Sequence, residues 1–321
     1  MTTEFDLIAR IRARSKTDAS VLVGIGDDAA VVQPSADRVL VATTDSLVPE
    51  RHFLPEWSPE DIGHLALAVN LSDLAAMGAT PRWSLLALTL PEGDEVWLDR
   101  FLDGFLALAE RSGLLLVGGN LARGPLNIGV QVLGEVDPSR IARRSGSRPG
   151  DLIAVTGSLG DADAALKLGD DASPELVERL RRPQPRIAAG QAMAPWIHGM
   201  IDVSDGLVAD LAHLLEANGL GNNRLGAELD LDHLPASPAL LAASSDRQWR
   251  WQRQLTGGSD YELLMTLPSE HLDSVASQAG AIGLRLTVIG RVGQPDTGLK
   301  TLGPDGEHLE MNNGGWDHFG S

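Results

Sequence analysis

Hydrophobic and polar positions in the first half of the chain follow two periods. Val21–Ile25 and Val39–Thr43 are short apolar, β-branched runs, which predicts strands. Trp57-Ser58-Pro59-Glu60-Asp61 predicts a helix start. Ser58 caps, Pro59 suits the first helical position, and two acids meet the positive end of the dipole. Ile62, Leu65, Ala66, Val69 and Leu74 continue at near-helical spacing to about Gly78. The pattern then gives a helix over Glu95–Arg111, a strand Leu114–Val117 entering Gly118-Gly119, and a strand Ile128–Val136 buried on both faces.

Ser145–Asp151 gathers Gly, Ser and Pro ahead of a fresh strand, Leu152–Thr156, and so reads as a hinge. Beyond it the pattern predicts helices near Pro174–Arg181, Arg186–Ala194, Leu207–Ala217 and Ser269–Ile282. Strands are predicted at Ile201–Val203, Tyr261–Leu267 and Leu286–Val292, and a polar loop at Ala217–Gly226. The expected fold class is α/β, with two domains of similar size, residues 1–147 and 148–321. A length of 321 residues suits two cores better than one.

Composition narrows the chemistry. The chain has no cysteine, which excludes disulfides, thiolate metal sites and cysteine nucleophiles. Its formal net charge of −18 repels nucleic acid and anionic membranes. Met1–Arg14 mixes acids with Arg10, Arg12 and Arg14, unlike a signal peptide, and no apolar run approaches the ~20 residues of a membrane span. A cytoplasmic protein is expected, with neither nucleic-acid nor membrane partners. Most acids serve solubility, but an acidic site for a polyphosphate must recruit cations, and carboxylate oxygens suit Mg²⁺.

Six short clusters carry candidate chemistry, each with an ordinary structural alternative. Gly24-Ile25-Gly26-Asp27-Asp28 follows a strand and is either an Asp-Gly turn or a backbone cradle with acids. It lacks the third glycine of a dinucleotide fingerprint. Thr43-Thr44-Asp45-Ser46, expected at a strand end, is a turn or a hard-cation site. Asn70 and Asp73 lie one helical turn apart among small apolar residues, where an unpaired acid is costly. Gly118-Gly119-Asn120, with Arg123 and Gly124 beyond, is a plain turn or a phosphate approach. Asp202 and Asp205 bracket a strand-to-helix junction; Ser204 or Asp205 is a natural cap, which explains one but not both acids. In Gly257-Gly258-Ser259-Asp260-Tyr261-Glu262, glycines meet acids again; Tyr261 reads more simply as core packing.

Taken together, GIGDDAA, TTDS with His52-Phe53, NLSDLAAMGA, GGN-x-x-RGP, RSGSRPGD, VSDGL and GGSDYELL resemble the thiamine-monophosphate kinase family, within the aminoimidazole ribonucleotide synthetase-like superfamily. The resemblance runs from Glu4-Phe5 to Trp316-Asp317-His318-Phe319. It implies Mg-assisted, in-line transfer of the ATP γ-phosphoryl group to thiamine monophosphate, with no covalent nucleophile. It also implies an N-terminal ATP- and Mg-binding domain that pairs into a dimeric β-barrel, and a C-terminal domain completing the substrate cleft. The implied metal residues are Asp28, Thr43, Thr44, Asp45, Asp73, Asn120, Asp202 and Asp205. Asp45 and Asp205 act in catalysis through metal. Gly119, Asn120, Arg144 and Ser204 are implied for ATP, and His52, Ser259 and Trp316 for thiamine monophosphate. Several Mg²⁺ ions, a K⁺ ion and a homodimer are expected from the same resemblance.

Three departures stand out. The family usually has GGD where Gly118-Gly119-Asn120 stands, GGED where Gly257-Gly258-Ser259-Asp260 stands, and a glycine-containing turn at Pro49-Glu50-Arg51. They keep two further readings open: a related kinase with another acceptor, and a nucleotide-binding protein with impaired catalysis.

Overall fold

The structure, a computed structural model, describes residues 3–218, 224–295 and 297–309. It divides into two compact units, Met1–Leu74 with Ala79–Ser139, and Ala75–Gly78 with Arg140–Ser321.

The first unit runs α1 (Glu4–Arg14), β1 (Val21–Val23), β2 (Val31–Val32), β3 (Val39–Leu47), α2 (Pro59–Ala76), β4 (Thr80–Leu90), α3 (Glu95–Arg111), β5 (Leu115–Arg123) and β6 (Asn127–Val136). Thr3 opens α1 through a reciprocal capping box with Asp6, an element the apolar pattern did not announce. β1 and β2 pair antiparallel around the Gly24–Ala30 loop. The four-stranded sheet has the order β3-β6-β4-β5 and is antiparallel except for β4 with β5. One face is dry, with Leu86, Leu88, Ile128, Val130 and Val132 buried. α2 lies over this face, tied by its Asp73 to Thr43 of β3. α3 meets α2 at two glycines. A methyl at Gly104 would sit 1.8 Å from the Glu60 carbonyl oxygen, and one at Gly63 2.0 Å from that of Phe101. The opposite face, with Leu40, Leu85, Ala87, Gln131 and Leu133, is half-buried or exposed.

The second unit contains β7 (Leu152–Thr156), α4 (Asp161–Leu168), α5 (Pro174–Arg181), α6 (Ile187–Met193), β8 (Gly199–Asp202), α7 (Leu207–Glu216), β9 (Gly226–Asp230), α8 (Pro238–Ala243), α9 (Arg247–Thr256), β10 (Leu263–Leu267), α10 (Leu272–Ala281), β11 (Leu286–Gly293) and β12 (Leu299–Leu302). Its six strands have the order β12-β9-β11-β7-β10-β8, antiparallel apart from β12 with β9. β7 and β10 are buried at every residue, which is why they read as unbroken apolar runs. Alternate residues feed two cores. Ile153 and Val155 pack with Leu211, Leu214 and Leu255 of α7 and α9. Leu152 and Ala154 pack with Met193, Val275 and Ala279 of α6 and α10.

Two strands run further than the sequence pattern indicates. Thr43–Ser46 lies inside β3 rather than at its end, and Gly118-Gly119-Asn120 lies inside β5 rather than in a turn after it. β5 tolerates the glycines because β4 approaches so closely. Leu116 pairs with Ser84 and Gly118 with Leu85, so Val117 is a bulge residue. A methyl at Gly119, whose φ is +150°, would lie 1.9 Å from the Leu86 carbonyl oxygen.

Candidate active site

Strand alternation sorts the Thr43–Ser46 cluster. Thr43, Asp45 and Leu47 share the face toward α2, and the Thr43 hydroxyl donates to Asp73 Oδ2 at 2.5 Å. Thr44 faces the other way. Its hydroxyl donates to the Val130 carbonyl at 3.1 Å and accepts from Gln131 Nε2 at 3.2 Å. On the Thr43 side, Thr44 therefore offers main-chain atoms only. Asn70, one turn before Asp73 and fully buried, donates to the Ala66 carbonyl, while its Oδ1 has no hydrogen-bond partner among the described residues.

A cavity of about 810 Å³ lies within the first unit. Its walls are the Gly24–Ala30 loop, Leu85–Ala87, Val117–Leu121, Gln131 and the Phe5, Ile8 and Ile11 side of α1. Two clusters far apart in sequence, Asp27-Asp28 and Gly118-Gly119-Asn120, thus share one wall-lined space. Gly26 has a φ of +116°, which only glycine adopts freely, and this bends the loop over the cavity. Asp27 folds back to accept the Asp28 N–H at 2.9 Å. Asp28 and Asn120 are both exposed at this cavity. His52 sits in the turn after β3. It accepts the Val48 N–H on Nδ1 at 3.0 Å, which favours the tautomer with its proton on Nε2. Glu50 in that turn has a φ of +65°, where the family's usual glycine would be unstrained.

In the second unit the Asp202–Asp205 and Gly257–Tyr261 segments are laced together. The Ser259 N–H donates to the Ser204 carbonyl and the Tyr261 N–H to the Val203 carbonyl, both at 2.8 Å. Ser259 and Tyr261 both hold positive φ values, 67° and 50°. Such strain persists only where surrounding contacts over-determine it. Asp202 is buried at the end of β8. Arg144 is exposed, in a segment whose Arg143 carbonyl accepts the Met200 N–H. Trp316 lies outside the described residues.

Three acids anchor this region: Asp260 and Glu262, which the sequence places in the Gly257–Glu262 string, and Asp210, which the sequence reading did not single out. Asp210 Oδ2 accepts the N–H groups of Ser204, Asp205 and Gly206 at 3.0, 3.0 and 3.1 Å. Burial foremost, then the Asp202 charge, pushes its carboxyl up to about 7, against the pull of the N–H donors. Its signal was present: Asp210 interrupts the apolar stripe of Leu207, Leu211 and Leu214. Glu262 is fully buried and accepts from Thr156 Oγ1, Arg179 and, in bidentate fashion, Arg186. Asp260 accepts the Gly160 N–H on both oxygens, at 3.0 and 2.8 Å. Burial holds its carboxyl well above the ordinary range.

Among the described residues, no three His, Cys, Asp or Glu side chains converge on one point. The donors that do gather are Thr43, Asp73 and, on the same strand face, Asp45, with Asn70 Oδ1 unsatisfied nearby on α2. These are hard oxygens, sparse enough that phosphate and water oxygens must complete a coordination sphere. That is the usual manner of Mg²⁺ sites on nucleotides, so the residues fit the ion.

Two mixed-sheet α/β units with acid-lined loops define a two-domain protein of the AIR synthase related class. Residues 26–136 match the AIR synthase related protein N-terminal domain, and residues 148–300 match its C-terminal domain. A thiamine-monophosphate kinase of Salmonella typhimurium (strain LT2) is 41% identical over 326 residues, covering 98% of each chain. The crystal structure of thiamine-monophosphate kinase from Stenotrophomonas maltophilia K279a superposes with a TM-score of 0.86 at 42% identity, covering 96% of this chain and 98% of that one. A ThiL protein complexed with AMPPCP and TMP gives a TM-score of 0.76 at 34% identity over 99% of both chains. This chain belongs to the thiamine-monophosphate kinase family.

Proposed function

We propose that this chain transfers the γ-phosphoryl group of ATP to the phosphate of thiamine monophosphate, giving thiamine diphosphate. The observation that carries the reading is the meeting of Asp27-Asp28 with Gly119-Asn120 at a single cavity, in a chain whose relative is complexed with AMPPCP and TMP. The acceptor is already an anionic oxygen, so the chemistry calls for alignment and charge neutralisation more than for a general base. Mg²⁺, when bound, draws the two anions together and spreads the charge developing between them.

The chain's own groups have separable tasks. Gly119 brings the β5 main chain up to the nucleotide, and Asn120 offers it a neutral oxygen. Asp28, Asp45, Asp73, Thr43 and the Thr44 main chain hold cations in the domain 1–147. Asp202 and Asp205 hold them in the domain 148–321, with Ser204 and the Arg144 guanidinium on phosphate oxygens. His52 and Trp316 contact thiamine monophosphate, with the His52 Nε2–H as a donor. K⁺ joins Mg²⁺ as an assisting ion. Two copies pair through the half-exposed face of the four-stranded sheet to close a barrel, and the protein works in the cytoplasm.

A second reading, a kinase of this family with a different acceptor, is favoured by Ser259. It stands at a φ of 67° where the family has Glu, so it offers a short hydroxyl in place of a long carboxylate. ADP release measured with thiamine monophosphate and with analogues tests both. Turnover with thiamine monophosphate is expected. Turnover only with another acceptor would move the assignment to the second reading. AMPPCP binding without turnover of any acceptor would reduce the protein to a nucleotide binder.

A further inference from the structure

The stretch from Ser204 to Gly206 presents three successive N–H groups to one point just ahead of α7. Such a nest, at the positive end of a helix dipole, has the form of an anion site. In this protein the acceptor at that point is internal. Asp210, in the first turn of α7 and 2% exposed, fills it with a single oxygen, at 3.0–3.1 Å from all three nitrogens. We propose that Asp210 is a positioning residue that plugs this nest, so that the Ser204–Gly206 loop cannot take phosphate on its N–H groups. The loop instead turns the Asp205 carboxylate, beside Asp202 at the end of β8, toward cations carried on phosphate. The inference rests on the metal–nucleotide reading of this loop given above.

The geometry supports an orienting role. Gly206 has a φ of +116°, and a methyl there would lie 2.9 Å from the Thr256 main chain. The loop is therefore boxed in from the α9 side. The Ser204 carbonyl is occupied by the Ser259 N–H at 2.8 Å. With the Ser204 carbonyl and the three N–H groups committed, the loop's main chain is fixed, and with it the points from which the Ser204 and Asp205 side chains leave. Asp210 Oδ2 is the one acceptor that fixes all three amides, so its loss releases them together.

The test uses the full chain with Asp210→Asn, Asp210→Glu and Asp210→Ala. Asn keeps an acceptor oxygen at the same reach without charge. Glu keeps the charge but shifts the oxygen by one methylene, and it serves even where the Ala variant fails to fold. Two readouts are independent of turnover: hydrogen exchange of the Ser204–Gly206 amides, and Mn²⁺ binding in the presence of AMPPCP, followed by electron paramagnetic resonance. In the Glu and Ala variants these amides are expected to exchange about tenfold faster or more, and Mn²⁺ to bind about tenfold more weakly. The Asn variant is expected to keep the protection and to stay within about threefold of wild type in Mn²⁺ affinity. An Asn variant that binds Mn²⁺ as poorly as Ala while its amides stay protected would show that charge matters and position does not. Glu or Ala variants with fast amides and unchanged Mn²⁺ affinity would equally overturn the proposal. Failure of the kinase reading is separate: it appears as no thiamine monophosphate turnover by wild type, with the exchange and Mn²⁺ differences intact.

Discussion

Asp260 carries a burial cost that its neighbours only partly offset. It is the middle residue of the strained Ser259–Tyr261 segment, where the Gly160 N–H stabilises its charge while the Asp161 and Glu262 charges oppose it. Its carboxyl holds a proton in the fold at pH values where the unfolded chain has released it. The native state therefore binds more protons than the unfolded state above the ordinary Asp value of 3.8. The associated stability is fully present below that value and is lost as pH rises through the folded-state value. Asp260→Asn removes this titration. Thermal melts of the variant and wild type from pH 4 to pH 8 should show the difference moving steadily in the variant's favour as pH rises. A difference independent of pH would mean that Asp260 is ionised throughout, held by Arg179 as a permanent partner.

At the scale of elements, glycine decides which packing is possible. α2 and α3 touch main chain to main chain, with Gly104 against the Glu60 carbonyl and Gly63 against that of Phe101. Gly104→Ala must push the helices apart and is expected to cost about 3 kcal/mol, at the upper end of overpacking effects. Its melting temperature should then fall by roughly 6–12 °C. Gly280 in α10 is the control, because a methyl there meets nothing within 4 Å. Gly280→Ala should stabilise by up to about 1 kcal/mol, through lower entropy of the unfolded chain. Equal effects of the two substitutions would place the helix crossing elsewhere.

The same elements show what was legible beforehand. α3 and β7 were fully readable, since Glu95–Arg111 and Leu152–Thr156 keep an unbroken period and end at clear breakers. α9 was not, because RQWRWQRQLT carries its buried Trp251 and Leu255 among arginines and glutamines. The internal position of Gly118-Gly119-Asn120 was hidden because glycines mark turns locally, whereas here β4 requires them. The acidic clusters were legible as strings. Their partners were not: the bonds of Glu262 to Thr156 and Arg186 join residues 106 and 76 positions apart, a distance no local pattern encodes.

At the scale of the whole molecule, the face of the first unit's sheet away from α2 is only partly covered. α1 and the Gly24–Ala30 loop roof a cavity over Leu85, Ala87 and Gln131, which leaves the β3 side of that face, with Leu40, open to water. On the open face Leu40 is 48% exposed, and Leu85, Ala87 and Leu133 are half-buried around Gln131. The Thr44–Gln131 hydrogen bond sits amid these side chains, so the face is ordered rather than merely left over. The second copy proposed above would supply a self-complementary cover, the usual arrangement in two-fold dimers. Sedimentation equilibrium should therefore give twice the 34.0 kDa chain mass. Leu133→Lys places a charge at the centre of the open face, where a monomer would leave it in water and a dimer would bury it. The expected result is a shift to monomer with little change in the far-ultraviolet circular dichroism, because the dry face of the sheet is untouched. A wild-type monomer, or a lysine variant that still dimerises with unchanged affinity, would exclude this face as the contact.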